Sequence, residues 1–115
     1  MYRIKKTFIV SASHKLNLDY ESKCQRKHGH NWKITVYCQA DELDKNGMVI
    51  DFTLIKNQVQ DKLDHYYLND IFGDVNTTAE NIAHWICMQF DSCYQVDVEE
   101  VEGSVATYID DSIKI

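Results

Sequence analysis

Residues 28–40 read HGHNWKITVYCQA, and polar and apolar side chains alternate along most of this stretch. Such alternation is typical of a β-strand that has one face against a core and the other toward water. The odd positions from Asn31 to Gln39 are polar, whereas the even positions are apolar except for the first two: His28, His30, Trp32, Ile34, Val36, Cys38 and Ala40. The stretch therefore predicts a strand whose core-facing side begins with two imidazoles.

A second strand is predicted just before this one, at residues 8–14, FIVSASH. Its even positions are apolar until the last, which is His14. Residues 17–27, between the two strands, are polar and lack periodicity, which predicts a loop. If the strands pair as an antiparallel hairpin, His14 lies on the same face as His28 and His30. The three imidazoles are then expected to converge at the end of the hairpin.

The predicted cluster has the composition of a zinc site. Three neutral imidazoles without a carboxylate suit tetrahedral zinc that keeps one position open, as catalytic zinc does. Cys24 lies four residues before His28 and is a candidate fourth ligand, which would close the site and make it structural. Alternatively, its thiol is flanked by basic residues and acts as a base or nucleophile, or it has no role. A single histidine on an apolar face is more often an ordinary core residue, but three that meet favour a metal.

Two helices are predicted after the turn at residues 44–47, DKNG, where Asn-Gly supplies the positive φ angles of a tight turn. Helical spacing of apolar residues predicts the first helix over residues 52–63. Its apolar positions are Phe52, Ile55, Val59 and Leu63. Thr77 and Glu80 have the spacing of a capping box, so the second helix is predicted to begin there. Glu80 is then explained as a capping residue without any binding role.

Two further strands are predicted, near residues 96–101 and 105–109, with a turn at Gly103 and Ser104. The order strand, strand, helix, helix, strand, strand is typical of the α+β class, with a four-stranded antiparallel sheet and two helices on one face. At 115 residues the chain is expected to form a single domain, residues 1–115.

Charge is distributed unevenly along the chain. The net charge is −6, yet residues 1–33 hold eight Lys and Arg against Asp19 and Glu21, so this part carries +6 and the remainder −12. The acidic total opposes nucleic-acid binding, because a polyanion is repelled. The basic part contains the histidine cluster and therefore suits an anionic small molecule such as a phosphate ester. A solvated face, or attraction between neighbouring subunits, would also explain it.

The sequence favours a cytoplasmic protein. No apolar run approaches the roughly 20 residues of a membrane span, and the N-terminus lacks the apolar stretch of a secretory signal. The four cysteines show no paired spacing, so we expect reduced thiols rather than disulfides.

Several motifs together resemble the 6-pyruvoyl-tetrahydropterin synthase family, which includes the 6-carboxy-tetrahydropterin synthases of queuosine biosynthesis. The matching segments are ASHKL at 12–16, CQRKHGHN at 24–31, VIDF at 49–52, LDHYYLND at 63–70, TTAEN at 77–81 and VDVEE at 96–100, followed by Tyr108. Each match is weak alone, but the ordered set covers nearly the whole chain and is specific.

The resemblance implies the tunnelling fold (T-fold), in which subunits join edge to edge into a trimeric barrel and two trimers commonly stack into a hexamer. A homo-oligomer, either a trimer or a dimer of trimers, suits the predicted sheet, because a four-stranded sheet has open edges that partner strands would cover. The polar odd positions of residues 31–39 would then line the barrel.

The resemblance also implies roles for nine residues. They are the zinc ligands His14, His28 and His30, the catalytic residues Cys24, Asp64 and His65 of an intersubunit triad, and the substrate-binding residues Glu100, Thr78 and Glu80. Glu100 is preferred to its acidic neighbours as the pterin anchor because it continues the parity of Val96 and Val98. Alternatively, Asp64 and His65 are only the polar end of a helix.

The implied substrate is 7,8-dihydroneopterin triphosphate. One branch of the family gives 6-pyruvoyl-tetrahydropterin, and the other loses acetaldehyde to give 6-carboxy-5,6,7,8-tetrahydropterin. Three residues separate Cys24 from His28, a spacing that resembles the 6-carboxy branch, whose chains are also short. Asn31 also occurs in the pyruvoyl branch. A non-catalytic zinc-binding or pterin-binding module is the alternative from a different functional class.

Overall fold

The computed structural model describes residues 1–112, and its four strands form an antiparallel sheet in the order β1-β2-β3-β4. The predicted α+β class and the order of strands and helices are confirmed, with one additional short helix, α2, whose five residues are too few to give a helical period. Residues 113–115 of the predicted domain lie outside the described part. The elements are β1 Tyr2–His14, β2 His28–Ala40, α1 Phe52–Leu63, α2 Leu68–Phe72, α3 Ala79–Cys87, β3 Cys93–Val101 and β4 Ser104–Ile109.

The β1–β2 hairpin pairs without a break from Tyr2 opposite Ala40 to His14 opposite His28. β1 thus begins six residues before the Phe8 at which its alternation becomes visible in the sequence. Its first part is hard to recognise because Ile4 is only half-buried there and most of its neighbours are charged. The long, continuous pairing fixes the register of the three histidines.

The core lies between the even-numbered face of the sheet and the helices. Helix α1 packs against β1, and α3 packs against β3 and β4. The predicted apolar stripe of α1 is confirmed except at Phe52, the first residue of the helix, which remains 48% exposed. The largest fully buried apolar side chains are Val10, Trp32, Ile34, Val36, Ile55, Val59, Leu63, Leu68, Ile82, Ile86 and Val96.

The segment after α1 covers the C-terminal half of the β1 edge. His65 N–H donates to the Ser11 carbonyl (2.6 Å), and Ser13 N–H donates to the Tyr66 carbonyl (3.2 Å). The Ser11 N–H in turn donates to the Asp64 carboxylate (2.8 Å). His65 has φ = +64°, the one positive φ of a non-glycine residue in the described part. Asp64 and His65 are thereby fixed beside the histidine end of the hairpin.

The start of α3 differs from the capping box predicted from Thr77 and Glu80. Thr78 caps the helix instead, and its side chain accepts a hydrogen bond from the Asn81 N–H (3.2 Å). Glu80 is therefore the second residue of the helix rather than the third and does not complete a capping box. Thr77 is fully buried, and its hydroxyl donates to the Lys15 carbonyl (3.1 Å). The prediction erred by one residue because two adjacent threonines compete for the capping position.

Strands β3 and β4 form a hairpin that turns at Gly103, where φ is +89°, as the sequence predicts. Its register shifts between Glu99 and Val101, so that Glu100 is the extra residue of a β-bulge. In residues 1–112, no helix has both the length and the apolar character that a bilayer crossing requires.

Candidate active site

The three histidines meet at the end of the β1–β2 hairpin. His14 lies directly opposite His28, and His30 lies opposite Ala12, so all three side chains project from the same face. Their ring centroids are 4.5 Å (His14 to His28), 5.2 Å (His14 to His30) and 4.8 Å (His28 to His30) apart. One ligating atom from each residue lies within 4.8 Å of the others. The predicted convergence of the imidazoles is confirmed.

Backbone carbonyl groups orient two of the rings. The His14 Nδ1 lies 2.8 Å from the Thr77 carbonyl oxygen, and the His28 Nδ1 lies 2.6 Å from the Arg26 carbonyl oxygen. A carbonyl oxygen only accepts, so each Nδ1 carries the proton and donates it. In the neutral form of such a ring, the Nε2 atom has the free lone pair. Metal-binding histidines are commonly held by such a bond from the second ring nitrogen.

Burial favours the neutral form of two of the three rings, those of His14 and His30. Burial lowers the pKa of His14, and the bond to Thr77 opposes this only in part. Burial also lowers the pKa of His30, against the opposing charge of Glu100. The Nε2 atoms of both rings are buried and, among the described residues, have no hydrogen-bond partner. Buried polar atoms are rarely left unpaired, and three neutral imidazoles are a donor set that fits zinc.

Trp32 forms the apolar wall behind this cluster. Its ring contacts His14 and His30 edge to face, with centroids 4.8 and 5.1 Å away. The indole N–H donates to the Ala12 carbonyl (3.1 Å), so the ring is fixed. An apolar wall of this kind keeps the imidazoles neutral and limits their rotation. Its role was not predicted, because an aromatic residue on an alternating face is explained by the core alone.

Glu100, on strand β3, lies beside the triad. Its carboxylate oxygens lie 3.6 Å from the His30 Nε2 and 3.9 Å from the His14 Nε2. Glu100 also lines a cavity of about 480 Å³ together with Thr78 and Glu80. The remaining wall comes from Leu16, from Ala79 and from residues 104–107 of β4. The structure thus brings the three residues predicted to bind substrate into one cavity, and Glu100 joins that cavity to the triad.

Asp64 and His65 lie on the other side of the hairpin end. The His65 Nε2 is 3.4 Å from an Asp64 carboxylate oxygen, and the side chains are 81% and 30% exposed, respectively. A second cavity, of about 420 Å³, is lined by His65 together with His30 and residues from both strands. The two residues therefore form a pair, and the pair opens to solvent.

Cys24 lies in a single 3-10 turn, Lys23–Gln25, within the predicted loop. Its N–H donates to the Ser22 hydroxyl (3.2 Å), and its carbonyl accepts from the Leu16 N–H (2.9 Å). The thiol is partly buried and free. In residues 1–112 the group of side chains able to hold a metal contains the three imidazoles without this thiol. Among the described residues, the structure therefore does not place the Cys24 thiol as a fourth member of the histidine cluster.

Fold and site together define a small α+β protein with three converging imidazoles beside a cavity that ends in a carboxylate. The family model described as 6-pyruvoyl tetrahydropterin synthase matches residues 3–111. The chain belongs to this family of pterin synthases, and the predicted family membership is confirmed.

Relatives with established names agree with this assignment. The 6-carboxy-5,6,7,8-tetrahydropterin synthase of Synechocystis is 38% identical, over 94% of this chain and 93% of that protein. The 6-pyruvoyl tetrahydrobiopterin synthase of Dictyostelium discoideum is 31% identical, over 87% and 90%, respectively. Among solved structures, the 6-pyruvoyl tetrahydropterin synthase of Caenorhabditis elegans superposes with a TM-score of 0.77 at 25% identity, covering 95% of both chains. The predicted T-fold is thereby confirmed.

Proposed function

We propose that this chain is a zinc-dependent 6-carboxy-5,6,7,8-tetrahydropterin synthase, a lyase of queuosine biosynthesis. Its substrate would be 7,8-dihydroneopterin triphosphate, and its products 6-carboxy-5,6,7,8-tetrahydropterin, acetaldehyde and triphosphate. The proposal depends chiefly on one observation, the buried and unpaired Nε2 atoms of His14 and His30 beside the Glu100 carboxylate. The name of the Synechocystis relative supports this branch of the family.

In this proposal His14, His28 and His30 hold the zinc ion through their Nε2 atoms. When bound, zinc acts as a Lewis acid and acidifies protons on the hydroxylated side chain of the substrate. Two features of the protein favour zinc binding by these imidazoles. The carbonyls of Thr77 and Arg26 hold two rings in the required tautomer, and burial keeps His14 and His30 neutral.

Glu100 binds the pterin ring. A carboxylate accepts two parallel hydrogen bonds from adjacent N–H groups, and the amino group and ring N–H of a pterin present that pair. Thr78 and Glu80 line the same cavity at the start of α3 and would contact the ring from the opposite wall. Because Glu100 lies between this cavity and the triad, a ring anchored there has its side chain near the imidazoles. Binding of this kind orients the reacting carbons before any proton moves.

Cys24, Asp64 and His65 would transfer the protons. An Asp64 carboxylate oxygen lies 3.4 Å from the His65 Nε2. Asp64 would thereby orient the His65 ring, as in other pairs that activate a thiol. The 81% exposure of His65 suits a residue that completes its site against a second copy of the chain. We therefore propose a homo-oligomer, a trimer or a dimer of trimers, in which this pair meets Cys24 of a neighbouring subunit.

The edges of the sheet suit that assembly. Residues 64–67 cover β1 only from Ser11 onward, so its first half remains available to a partner strand, as does the outer edge of β4. The basic first third of the chain would bind the triphosphate. The four free cysteines suit the reducing cytoplasm, where we propose that the protein acts.

The second candidate is the pyruvoyl branch, in which triphosphate leaves without loss of carbon. Two relatives favour it, the Dictyostelium enzyme by name and the Caenorhabditis elegans enzyme by structure and name. Incubation of the purified, zinc-loaded protein with 7,8-dihydroneopterin triphosphate, followed by mass spectrometry, separates the two. Acetaldehyde with the 6-carboxy product supports our proposal, whereas the 6-pyruvoyl product without acetaldehyde contradicts it.

A non-catalytic zinc module is tested with Cys24→Ala, assayed for metal content and turnover in the same preparation. We expect zinc to remain at the wild-type level and turnover to fall by a factor of about 100 or more, as when an acid–base group is removed. Loss of zinc from Cys24→Ala would instead make the thiol a ligand and the site structural. Asp64→Asn and His65→Ala are expected to retain zinc and lose turnover in the same way.

A further inference from the structure

The residues that follow His14 are held to the α2–α3 region by two asparagine side chains. The Asn69 amide oxygen accepts from the Lys15 N–H (3.0 Å), and its amide nitrogen donates to the Lys15 carbonyl (2.9 Å). Asn76 holds Asn17 in the same two-point manner, with both distances 3.0 Å. Each side chain thus bonds both backbone groups of one residue, as a neighbouring strand would. We call Asn69 and Asn76 the asparagine clamp.

The opposite side of the same segment holds the turn that contains Cys24. Between the two clamped residues lies Leu16, whose N–H donates to the Cys24 carbonyl (2.9 Å). In an extended chain the backbone groups of successive residues point in opposite directions. The clamp therefore bonds residues 15 and 17 on one edge while residue 16 bonds Cys24 on the other. The segment that bonds Cys24 through residue 16 is thus held by the clamp through residues 15 and 17.

Thr77 connects the clamp to the histidine triad. Its hydroxyl lies within hydrogen-bond distance of the Lys15 carbonyl (3.1 Å) and of the Asn69 amide oxygen (3.3 Å). Its own carbonyl accepts from His14 Nδ1. A continuous set of hydrogen bonds therefore runs from the ring of His14 through Thr77 and Lys15 to Asn69. Asn76 takes part on the α3 side, because its carbonyl accepts from the Asn81 amide (2.9 Å).

We propose that Asn69 and Asn76 are positioning residues that fix Cys24 relative to the histidine triad. The inference rests on the proposed function in one respect, that Cys24 and His14 act in the same reaction. The two asparagines act at different points of the segment. Asn69 holds Lys15, which follows His14, whereas Asn76 holds Asn17, which follows the Leu16 that bonds Cys24. Loss of Asn69 should therefore affect the metal site first, and loss of Asn76 should affect the thiol first.

Two readouts that do not require turnover separate these effects. Zinc affinity is measured by competition with a chromophoric chelator. The accessibility of Cys24 is measured as its rate of alkylation by iodoacetamide, located by peptide mass spectrometry. Alkylation reports on this thiol because the other three cysteines are at most 1% exposed. The variants are Asn69→Ala and Asn76→Ala, with Asn57→Ala as the matched control, an exposed asparagine of α1 outside the clamp.

For Asn76→Ala we expect Cys24 to be alkylated about tenfold faster than in Asn57→Ala, because two hydrogen bonds no longer hold the backbone of Asn17 next to Leu16. Its zinc affinity should stay within about twofold of the control. For Asn69→Ala we expect the affinity for zinc to fall about tenfold. This is the low end of the loss seen when a group that supports a metal ligand is removed. In both variants kcat should fall more than KM changes.

Asn76→Asp tests the chemistry of the clamp, since it keeps an acceptor for the Asn17 N–H and loses the donor to the Asn17 carbonyl. Its alkylation rate should lie between those of the wild type and Asn76→Ala. The clamp is refuted if Asn76→Ala alkylates at the control rate. It is also refuted if both alanine variants change both readouts equally and in proportion to a fall in Tm. If the wild-type protein gives no product but the clamp variants still shift alkylation as expected, the proposed function fails and the clamp stands.

Discussion

Removal of zinc is expected to destabilise the folded protein by an amount that follows from the geometry of the triad. The Nε2 atoms of His14 and His30 are buried without a partner among the described residues. A buried polar atom left unpaired costs about 1–3 kcal/mol, so the two cost about 2–6 kcal/mol together until a metal binds them. For a chain of 115 residues, 1 kcal/mol corresponds to roughly 4 °C in Tm. Saturating zinc should thus raise Tm by on the order of 10–20 °C.

The assay is differential scanning calorimetry of chelator-stripped protein with and without added zinc, at one protein concentration because assembly also shifts Tm. His14→Ala should lose most of the zinc-dependent rise. His84→Ala is the matched control, because His84 is exposed on α3 and lies outside the triad. Zinc does not stabilise the fold through the triad if it leaves the wild-type Tm unchanged, or if it raises the Tm of His14→Ala as much as that of His84→Ala.

Two further predictions concern titratable groups. Burial lowers the pKa of His14 and His30 below the ordinary value of 6.5, so the unfolded chain binds protons that the folded chain does not. The metal-free protein should therefore lose stability as the pH falls from 6.5 through their folded pKa values and keep it above 6.5, as measured by urea unfolding at a series of pH values. On the other sheet face, a hydrogen bond to Asp97 raises the pKa of Tyr37 to about 12. Asp97→Asn should return this pKa toward 10 in an ultraviolet titration, and it should destabilise the fold by about 1–3 kcal/mol because the carboxylate also accepts from Thr107 (2.7 Å).

The triad could be predicted because it depends on the alternation of side chains between the two faces of a strand, which is visible in the sequence. Side chains two residues apart share a face, which places His28 beside His30. In an antiparallel hairpin only registers of one parity keep the apolar residues of both strands on the core face, and all of these place His14 on the face of His28 and His30. The observed register brings His14 directly opposite His28. For Glu100, the family resemblance implied the role, and parity selected this residue among its acidic neighbours. Its carboxylate lies within 4 Å of two of the histidines.

Features that depend on one residue, or on contacts between distant segments, could not be predicted in this way. The start of α3 shifted from Thr77 to Thr78 because the Thr77 hydroxyl bonds the distant Lys15 carbonyl. The bulge at Glu100 interrupts the pairing of β3 with β4, although nothing in the local pattern marks it. The positive φ of His65 follows from its bonds to the β1 edge. In each case a contact distant in sequence overrides the local preference.

One register, the pairing of β1 with β2, places both the apolar core residues and the three histidines. A change of that register would therefore alter the core and the site together. Val10, Trp32 and Ile34 are buried on the face of the hairpin that ends in the three imidazoles. A slip of one residue between β1 and β2 would turn the apolar side chains of one strand toward water and also separate His14 from the face of His28. The free energy of core packing, about 1.5–3 kcal/mol for each large apolar side chain, therefore opposes any rearrangement of the histidines. A metal that binds there meets imidazoles already held together by the fold, and little of its binding energy is needed to assemble them.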